Sequence, residues 1–142
     1  MSESPAYQLV KKNLYDQDAF SQWLGIELHE IEAGKAILSL TVRAEMTNGF
    51  GLAHGGITYS LADSALAFAA NAHGRHSLSI ETSIAHTSAA HTGDVLTATA
   101  TEEHLSYKIG LYRIVIHNQK QELVALFKGT VYRSSKEWAL ES

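Results

Sequence analysis

Hydrophobic and polar residues alternate along six stretches of the chain, and a period of two residues is typical of β-strands. The first two stretches form a predicted hairpin over residues 26–43, with its turn at Ala33-Gly34. The other four stretches cover residues 76–87, 94–106, 110–118 and 122–133. Because the only proline, Pro5, lies outside all of them, no strand is interrupted.

The segment between the hairpin and the later strands has a different spacing of apolar residues. Apolar residues recur there every four positions, at Ile57, Leu61, Ala65 and Ala69. The surrounding segment is apolar on most sides, so it predicts a long buried helix, which Gly74 is placed to end in a left-handed conformation. Residues 5–24 mix apolar and charged positions at helical spacing and predict one or two short amphipathic helices.

The order of these elements predicts an α+β fold, with an antiparallel sheet wrapped around one long central helix. A chain of 142 residues with 45% hydrophobic content suits one such domain. We divide it into an N-terminal helical segment (1–24), a core (25–133) and a tail (134–142). One sheet cannot cover an apolar helix on every side, so we expect a second copy of the chain to pack against it.

Composition removes several classes of function. Eleven Lys and Arg against fifteen Asp and Glu give a net charge of −4, which does not suit nucleic-acid binding. The absence of cysteine excludes disulfides, thiolate metal sites and cysteine nucleophiles, and the spacing of the eight histidines matches no zinc template. Without a signal peptide or a long apolar run, the sequence predicts a cytoplasmic protein with no membrane or nucleic-acid partner.

Asp63 needs a physical explanation, because it lies in the middle of the most apolar helix. An ionised carboxylate placed there costs free energy unless it has partners, and Asp is a poor residue for a helix interior. In the structural interpretation, Asp63 faces solvent or hydrogen-bonds Ser60. In the functional interpretation, which we favour, the helix holds a catalytic carboxylate.

The segment Ala53-His54-Gly55-Gly56 opens the same helix. Two glycines let a ligand approach the backbone closely, and the first N–H groups of a helix have no internal partner. These N–H groups also carry the positive end of the helix dipole, which suits a donor to a polarised carbonyl oxygen. The alternative is a tight loop that needs glycine only for its dihedral angles.

Taken together, Asn48-Gly49, His54-Gly55-Gly56 and Asp63, at this spacing, resemble the signature of the hotdog-fold acyl-CoA thioesterases. The most similar branch is the phenylacetate-degradation (PaaI-like) type, and the resemblance covers about residues 20–133. It implies the hotdog fold and the hydrolysis of a thioester, such as an aryl-acetyl-CoA, to a carboxylic acid and free coenzyme A. No added cofactor is implied, because coenzyme A belongs to substrate and product.

The resemblance also implies roles for individual residues. Asp63 would activate water or attack the thioester directly, and the Gly55 N–H would polarise the carbonyl. Asn48 would orient the nucleophile or the carbonyl, His54 would shape the loop or bind near the sulfur, and Ser79 would assist from the next strand.

Coenzyme A would lie along two segments, with Lys108 meeting a phosphate. Its predicted contacts are Gly56, Thr87, Ser88, Ala89, Ala90, His91, Tyr107, Lys108, Ile109 and Gly110. The chain departs from its relatives at Ser88-Ala89, where they often carry Arg-Pro or Ser-Pro, so no arginine is available there for a phosphate. It also carries Ala67 where some branches place a hydroxyl one turn after the acid.

Helix geometry adds a prediction about assembly. Gly55 and Asp63 are eight residues apart, which is about 12 Å along one helix, too far for both to reach one thioester. We therefore expect an obligate homodimer, paired further into a homotetramer, in which the acid comes from the opposite subunit. Two alternatives stay open: a hotdog protein that only binds acyl-CoA, and an acyl-CoA hydratase on the same fold.

Overall fold

Six antiparallel strands form one sheet in the computed structural model, which describes residues 3–139. The strands are β1 (Glu27–Glu32), β2 (Lys35–Thr41), β3 (Arg75–His86), β4 (Val95–Leu105), β5 (Ile109–His117) and β6 (Leu123–Glu137). Their order across the sheet is β1-β2-β4-β5-β6-β3. The third strand along the chain therefore crosses to the far edge, where it pairs only with β6.

Three α-helices accompany the sheet in the described part of the chain, and the third is the longest. They are α1 (Pro5–Asn13), α2 (Ala19–Trp23) and α3 (Gly55–Asn71), with 3₁₀ turns at Tyr15–Gln17 and Ala44–Met46. The two short helices precede the hairpin, as the sequence predicted. No helix within residues 3–139 is both long and apolar enough to cross a membrane.

The sheet curls around α3, which confirms the predicted architecture. Leu61, Leu66 and Phe68 of this helix are at most 1% exposed. Gly129 of β6 permits the contact with Leu66, because a Cβ atom at Gly129 would lie 2.5 Å from the leucine Cδ2. One side of α3 stays half-buried, along Ser60, Asp63 and Ala67. The sheet of a single chain therefore covers most of the helix but not all of it.

The ends of α3 differ slightly from the pattern of apolar residues. The helix begins at Gly55, two residues before Ile57, because His54 caps its first turn through Nδ1, which accepts from the Gly56 N–H at 3.0 Å. It ends at Asn71, and Gly74 follows with a φ of +104°, as predicted for a left-handed position.

The Asn71 side chain joins the end of α3 to two strands. It accepts from the Ser77 N–H of β3 at 2.9 Å and from the Trp138 indole N–H after β6, also at 2.9 Å. In the same region β6 continues to Glu137, which pairs with Arg75 at the start of β3. The sheet thus extends four residues beyond the end predicted at residue 133.

Candidate active site

An open cleft of about 350 Å³ lies at the N-terminus of α3. Its lining residues are Asn48, Leu52, Ala53, Gly55, Thr58, His86, Thr87, Ser88, Ala89, Ala90 and Val124. The cleft brings two predicted catalytic residues, Asn48 and Gly55, together with the predicted coenzyme A segment from Thr87 to Ala90. The fold achieves this because the start of α3 and the end of β3 lie side by side.

The backbone N–H of Gly55 is a free donor in this cleft. The neighbouring N–H groups are engaged at the cap, since Gly56 donates to His54 Nδ1 at 3.0 Å and Ile57 donates to the His54 carbonyl at 2.8 Å. The Gly55 N–H has no hydrogen-bond partner among residues 3–139. As the first residue of α3, Gly55 also carries the positive end of the helix dipole, so this N–H is suited to a developing oxyanion.

His54 is the N-cap of α3, a structural position related to the first of its two expected roles, shaping the loop or binding near the sulfur. Because its Nδ1 accepts the Gly56 N–H, the ring proton of the neutral side chain lies on Nε2. The backbone N–H of Gly56 is occupied by this bond to His54, and Gly56 does not line the cleft. Gly56 therefore serves the turn in this chain, while Gly55 faces the cleft.

The two ends of the Asn48 carboxamide have different surroundings, the oxygen in the loop before α3 and the amide nitrogen without a bond to that loop. Its Oδ1 accepts from the Phe50 N–H at 2.9 Å and from the Leu52 N–H at 3.2 Å, which closes the loop before α3. Its Nδ2 has no hydrogen-bond partner within the described part of the chain. The side chain can therefore hold the loop with its oxygen and offer the amide N–H groups to a ligand.

Thr58 and His86 belong to the cleft, and the sequence analysis missed both. The Thr58 hydroxyl donates to the Gly55 carbonyl at 2.9 Å and lies 2.6 Å from His86 Nε2. Since its one proton is used on the carbonyl, His86 Nε2 is the donor in the second bond. Two sequence signals existed: Thr58 lies one helical turn after Gly55, and His86 immediately precedes the predicted segment at Thr87.

Asp63 lies on the half-buried side of α3 and does not line the cleft of its own chain. Ser60 does not support it, because the Ser60 hydroxyl donates to the Gly56 carbonyl at 2.7 Å. No residue from 3 to 139 donates a hydrogen bond to the Asp63 carboxylate. Burial raises the pKa of this carboxyl above its ordinary value, and the negative charge of Asp18 raises the pKa further.

Two hydrogen-bonded serines, Ser21 and Ser64, link Asp18 to the part of α3 that carries Asp63. The Asp18 side chain caps α2 by accepting from the Ser21 N–H at 2.9 Å, and it also accepts from the Ser21 hydroxyl at 2.6 Å. The Ser21 hydroxyl lies 2.8 Å from the hydroxyl of Ser64, the residue that follows Asp63. The N-terminal helical segment therefore brings a second carboxylate to the candidate acid.

The remaining predicted residues lie outside the cleft. Ser79 is exposed on β3, and the His91 N–H donates to Asp94 Oδ2 at 2.8 Å in the loop before β4. Gly110 is buried, and a Cβ atom there would lie 2.9 Å from the Tyr112 ring. Within residues 3–139 no three His, Asp or Glu side chains are placed to hold a metal ion.

The two predicted coenzyme A segments lie at opposite ends of β3 in one chain. The turn at residues 106–109 lies at the same height in the sheet as Leu78. Ile109 of β5 pairs with Tyr132 of β6, and Tyr132 pairs with Leu78 of β3. The segment from Thr87 follows His86, so the two are separated by eight strand residues, or about 26 Å. One chain does not bring them together.

The model of the thioesterase superfamily matches residues 50–125, which is more than half of the chain and includes Gly55, Asp63 and the strand that ends at His86. The chain belongs to the thioesterase superfamily. The predicted family and the predicted hotdog fold are confirmed, and so is the predicted enzyme class, a thioester hydrolase.

Individual relatives agree with this assignment. The chain is 40% identical over 120 residues to the acyl-coenzyme A thioesterase PaaI of Escherichia coli, covering 84% of this chain and 86% of that protein. It is 38% identical over 136 residues to a putative esterase of Archaeoglobus fulgidus, covering 96% and 88%. The solved structure of the E. coli PaaI protein, from the phenylacetic acid degradation operon, matches with a TM-score of 0.91 at 38% identity, covering 96% of this chain and 99% of that one.

Proposed function

We propose that this thioesterase hydrolyses acyl-CoA, preferentially an aryl-acetyl-CoA, to a carboxylate and free coenzyme A. The observation that carries the proposal is the unpartnered Gly55 N–H at the start of α3, in a cleft that also contains Asn48. The similarity to an E. coli acyl-coenzyme A thioesterase supports the substrate class, and the operon of that relative supports an aryl-acetyl group.

The mechanism follows from the donors and the base. The thioester carbonyl oxygen accepts from the Gly55 N–H, and the Asn48 amide N–H groups orient the carbonyl or the attacking water. The ionised Asp63 takes a proton from water as the water oxygen bonds to the carbonyl carbon. The oxyanion then collapses, the C–S bond breaks, and the proton on Asp63 passes to the leaving thiolate. In the variant of this reaction with a nucleophilic Asp63, the carboxylate attacks the carbonyl carbon, the C–S bond breaks and the thiolate takes a proton from solvent; water then hydrolyses the resulting anhydride, which regenerates Asp63.

Two chains are needed to build this site. Gly55 and Asp63 are separated by eight residues of one helix, or about 12 Å, and Asp63 is absent from the lining of its own cleft. A second copy packed antiparallel along the open side of α3, which carries Ser60, Asp63 and Ala67, brings each Asp63 toward the N-terminus of the other helix.

The exposed edge of β3 supports the same pairing. This strand has twelve residues and one free edge, and Leu78 and Ile80 on it are 76% and 62% exposed. A long apolar edge strand favours pairing with another strand. Antiparallel pairing of two β3 strands about their midpoint also places the turn at 106–109 of one chain beside residues 87–91 of the other. The two predicted coenzyme A segments then form one surface.

Mixed dimers test the shared site. One chain carries Asp63→Ala and a differently tagged chain carries Asn48→Asp, which preserves the loop-closing oxygen but removes the amide donor. A site shared between chains leaves one of two sites intact, so purified mixed dimers should recover about half of the wild-type rate. If they stay as inactive as both parent homodimers, Asp63 and Asn48 act within one chain. Light scattering then establishes whether dimers pair into the proposed tetramer.

A thiol-release assay tests the reaction and the substrate. A chromogenic thiol reagent monitors hydrolysis of phenylacetyl-CoA, hydroxylated aryl-CoA and straight-chain acyl-CoA by the purified protein. We expect the highest kcat/KM with an aryl-acetyl group. The assay also distinguishes the two alternatives, because neither an acyl-CoA-binding protein nor a hydratase releases thiol. Faster turnover of straight-chain substrates would reject the aryl preference while leaving thioester hydrolysis in place.

A further inference from the structure

Tyr59 lies between the two proposed catalytic groups on α3. It follows Gly55 by four residues and precedes Asp63 by four residues, which places it about 6 Å from each along the helix axis. Side chains four residues apart on a helix are neighbours, so Tyr59 and Asp63 occupy adjoining parts of the helix surface. The tyrosine side chain is half-buried and does not line the cleft. A large ring therefore lies beside the reaction centre without a part in the reaction itself.

Contacts with two strands fix the Tyr59 side chain. Its hydroxyl is hydrogen-bonded to the Thr82 hydroxyl of β3. Its ring packs edge-on against Phe127 of β6, with the ring centroids 5.3 Å apart and the planes inclined at 67°. Phe127 is fully buried, so it supports the tyrosine ring from the core. Because both the ring and the hydroxyl are held, Tyr59 forms a fixed wall rather than a mobile side chain.

The dimer that the proposed site requires brings two Tyr59 side chains close together. When Gly55 of one chain lies beside Asp63 of the other in an antiparallel pair of α3 helices, the two-fold axis passes at the midpoint, which is residue 59. The hydrogen bond to Thr82 agrees with this placement, because Thr82 is close to the middle of β3, where two paired β3 strands also meet the axis. The two tyrosines therefore separate the two sites of the dimer, each about 6 Å along its helix from a Gly55 N–H.

The direction of the acyl group follows from the other substituents of the thioester carbon. In the proposed site, the carbonyl oxygen is bound by the Gly55 N–H, and the sulfur continues into the pantetheine arm of coenzyme A along residues 87–90 of the cleft. The third substituent of this planar carbon points away from both, and thus along α3 toward the two-fold axis. About one helical turn separates the Gly55 N–H from Tyr59, which leaves room for one methylene and a flat ring but not for an extended chain of eight carbons.

We infer that Tyr59 sets the depth of the acyl pocket and thereby selects compact aryl-acetyl groups over long straight chains. The inference rests on the proposed function, in which two antiparallel α3 helices build each site. The Tyr59 ring acts by its bulk, and it also offers an aromatic surface against which a substrate ring packs favourably. Thr82 and Phe127 are positioning residues, since they act on the substrate only through the tyrosine side chain.

Substrates of different length test the inference in the full-length protein. In Tyr59→Ala, the ratio of kcat/KM for octanoyl-CoA to kcat/KM for phenylacetyl-CoA should rise about 10- to 200-fold, the range over which an apolar pocket discriminates between substrates by size. Tyr59→Leu should give a smaller rise in the same direction, and it carries the test if the alanine variant does not fold. Acetyl-CoA is too short to reach residue 59, so its kcat/KM should stay at the wild-type value and report an intact site.

Two control variants separate the bulk of the ring from other effects. Tyr59→Phe keeps the ring and removes the hydroxyl, so its preference among acyl chains should match the wild type. Tyr15→Ala removes a comparable tyrosine elsewhere, because Tyr15 is also half-buried, lies edge-on to Phe68 at 6.3 Å, and donates its hydroxyl to a main-chain carbonyl. Its preference should also be unchanged.

Three results would overturn the inference. The first is an unchanged ratio in the folded Tyr59→Ala or Tyr59→Leu variant. The second is an equal rise of the ratio in Tyr59→Phe or in Tyr15→Ala, which would assign the effect to the hydroxyl or to a general loosening of the fold. The third is a wild-type protein that hydrolyses octanoyl-CoA as efficiently as phenylacetyl-CoA.

Binding without turnover separates this inference from the proposed function. The thioethers S-phenethyl-CoA and S-octyl-CoA cannot be hydrolysed, and calorimetry measures their affinity for the protein. The wild type should prefer the phenethyl thioether, and Tyr59→Ala should shift the preference toward the octyl thioether by about 10-fold or more. If this shift occurs while no acyl-CoA is hydrolysed, the depth limit stands and the proposed function fails. If phenylacetyl-CoA is hydrolysed and the preference does not shift, the depth limit is refuted and the proposed function stands.

Discussion

Replacing Gly55 with proline tests the oxyanion donor with little other change. Proline has no N–H, and it is favoured at the first position of a helix, which Gly55 occupies in α3. The preceding residue must then be extended, and His54 already has φ −61° and ψ 139°. Gly55→Pro therefore removes one donor while the backbone keeps its conformation.

The matched control is Gly55→Ala, which keeps the N–H. Both substitutions add a Cβ atom that would lie 3.3 Å from His86 Cε1, so both require the same small shift of the histidine ring. The two variants then differ in the N–H, which proline replaces with the Cδ atom of its ring. Loss of one oxyanion donor costs about 10²- to 10³-fold in kcat, equivalent to ~2.7–4 kcal/mol.

Steady-state hydrolysis of phenylacetyl-CoA, with circular dichroism and thermal melts for both variants, measures this difference. We expect Gly55→Ala to keep most of the wild-type kcat and Gly55→Pro to lose about 10²-fold or more. Equal losses in the two variants would attribute the effect to crowding against His86. A Gly55→Pro enzyme as active as Gly55→Ala would refute the role of the N–H.

Three further predictions concern the acid and the subunit contact. Asp63→Asn should lower kcat by about 10²-fold or more while raising the melting temperature at neutral pH, because a carboxyl whose folded pKa is raised destabilises the fold once it ionises. A lower melting temperature at neutral pH would contradict this. Asp18→Asn keeps a capping side chain but removes a charge that raises the pKa of Asp63, so the acid limb of the kcat/KM profile should move to lower pH; an unmoved limb would exclude Asp63 as the titrating base. Ile80→Lys should place a charge on the exposed edge of β3 and yield inactive monomers in light scattering, whereas an active dimer would place the subunit contact elsewhere.

Local pattern in the sequence was enough for most elements of the fold. The alternation of apolar residues identified all six strands, because the side of a strand that faces α3 must be apolar whatever its neighbours are. The four-residue spacing from Ile57 to Ala69 identified the central helix for the same reason. The two proposed catalytic groups could be selected locally too, since Gly55 and Asp63 lie on one helix whose geometry fixes their separation.

Tertiary structure decided which distant residues meet. The crossing of β3 to the far edge of the sheet leaves Leu78 and Ile80 exposed, and nothing in the alternation of that strand distinguishes an edge from an interior position. The same crossing places His86 against Thr58, 28 residues earlier in the chain.

The contacts of the turn at residues 106–109 depend on tertiary structure in the same way. Arg75 and Arg133 are far apart in sequence and share one turn only because β3 pairs with β6. Periodicity along a helix or strand indicates which of its sides is apolar and suited to the core. Contacts between strands depend on the order of the whole sheet, which no single stretch of sequence encodes.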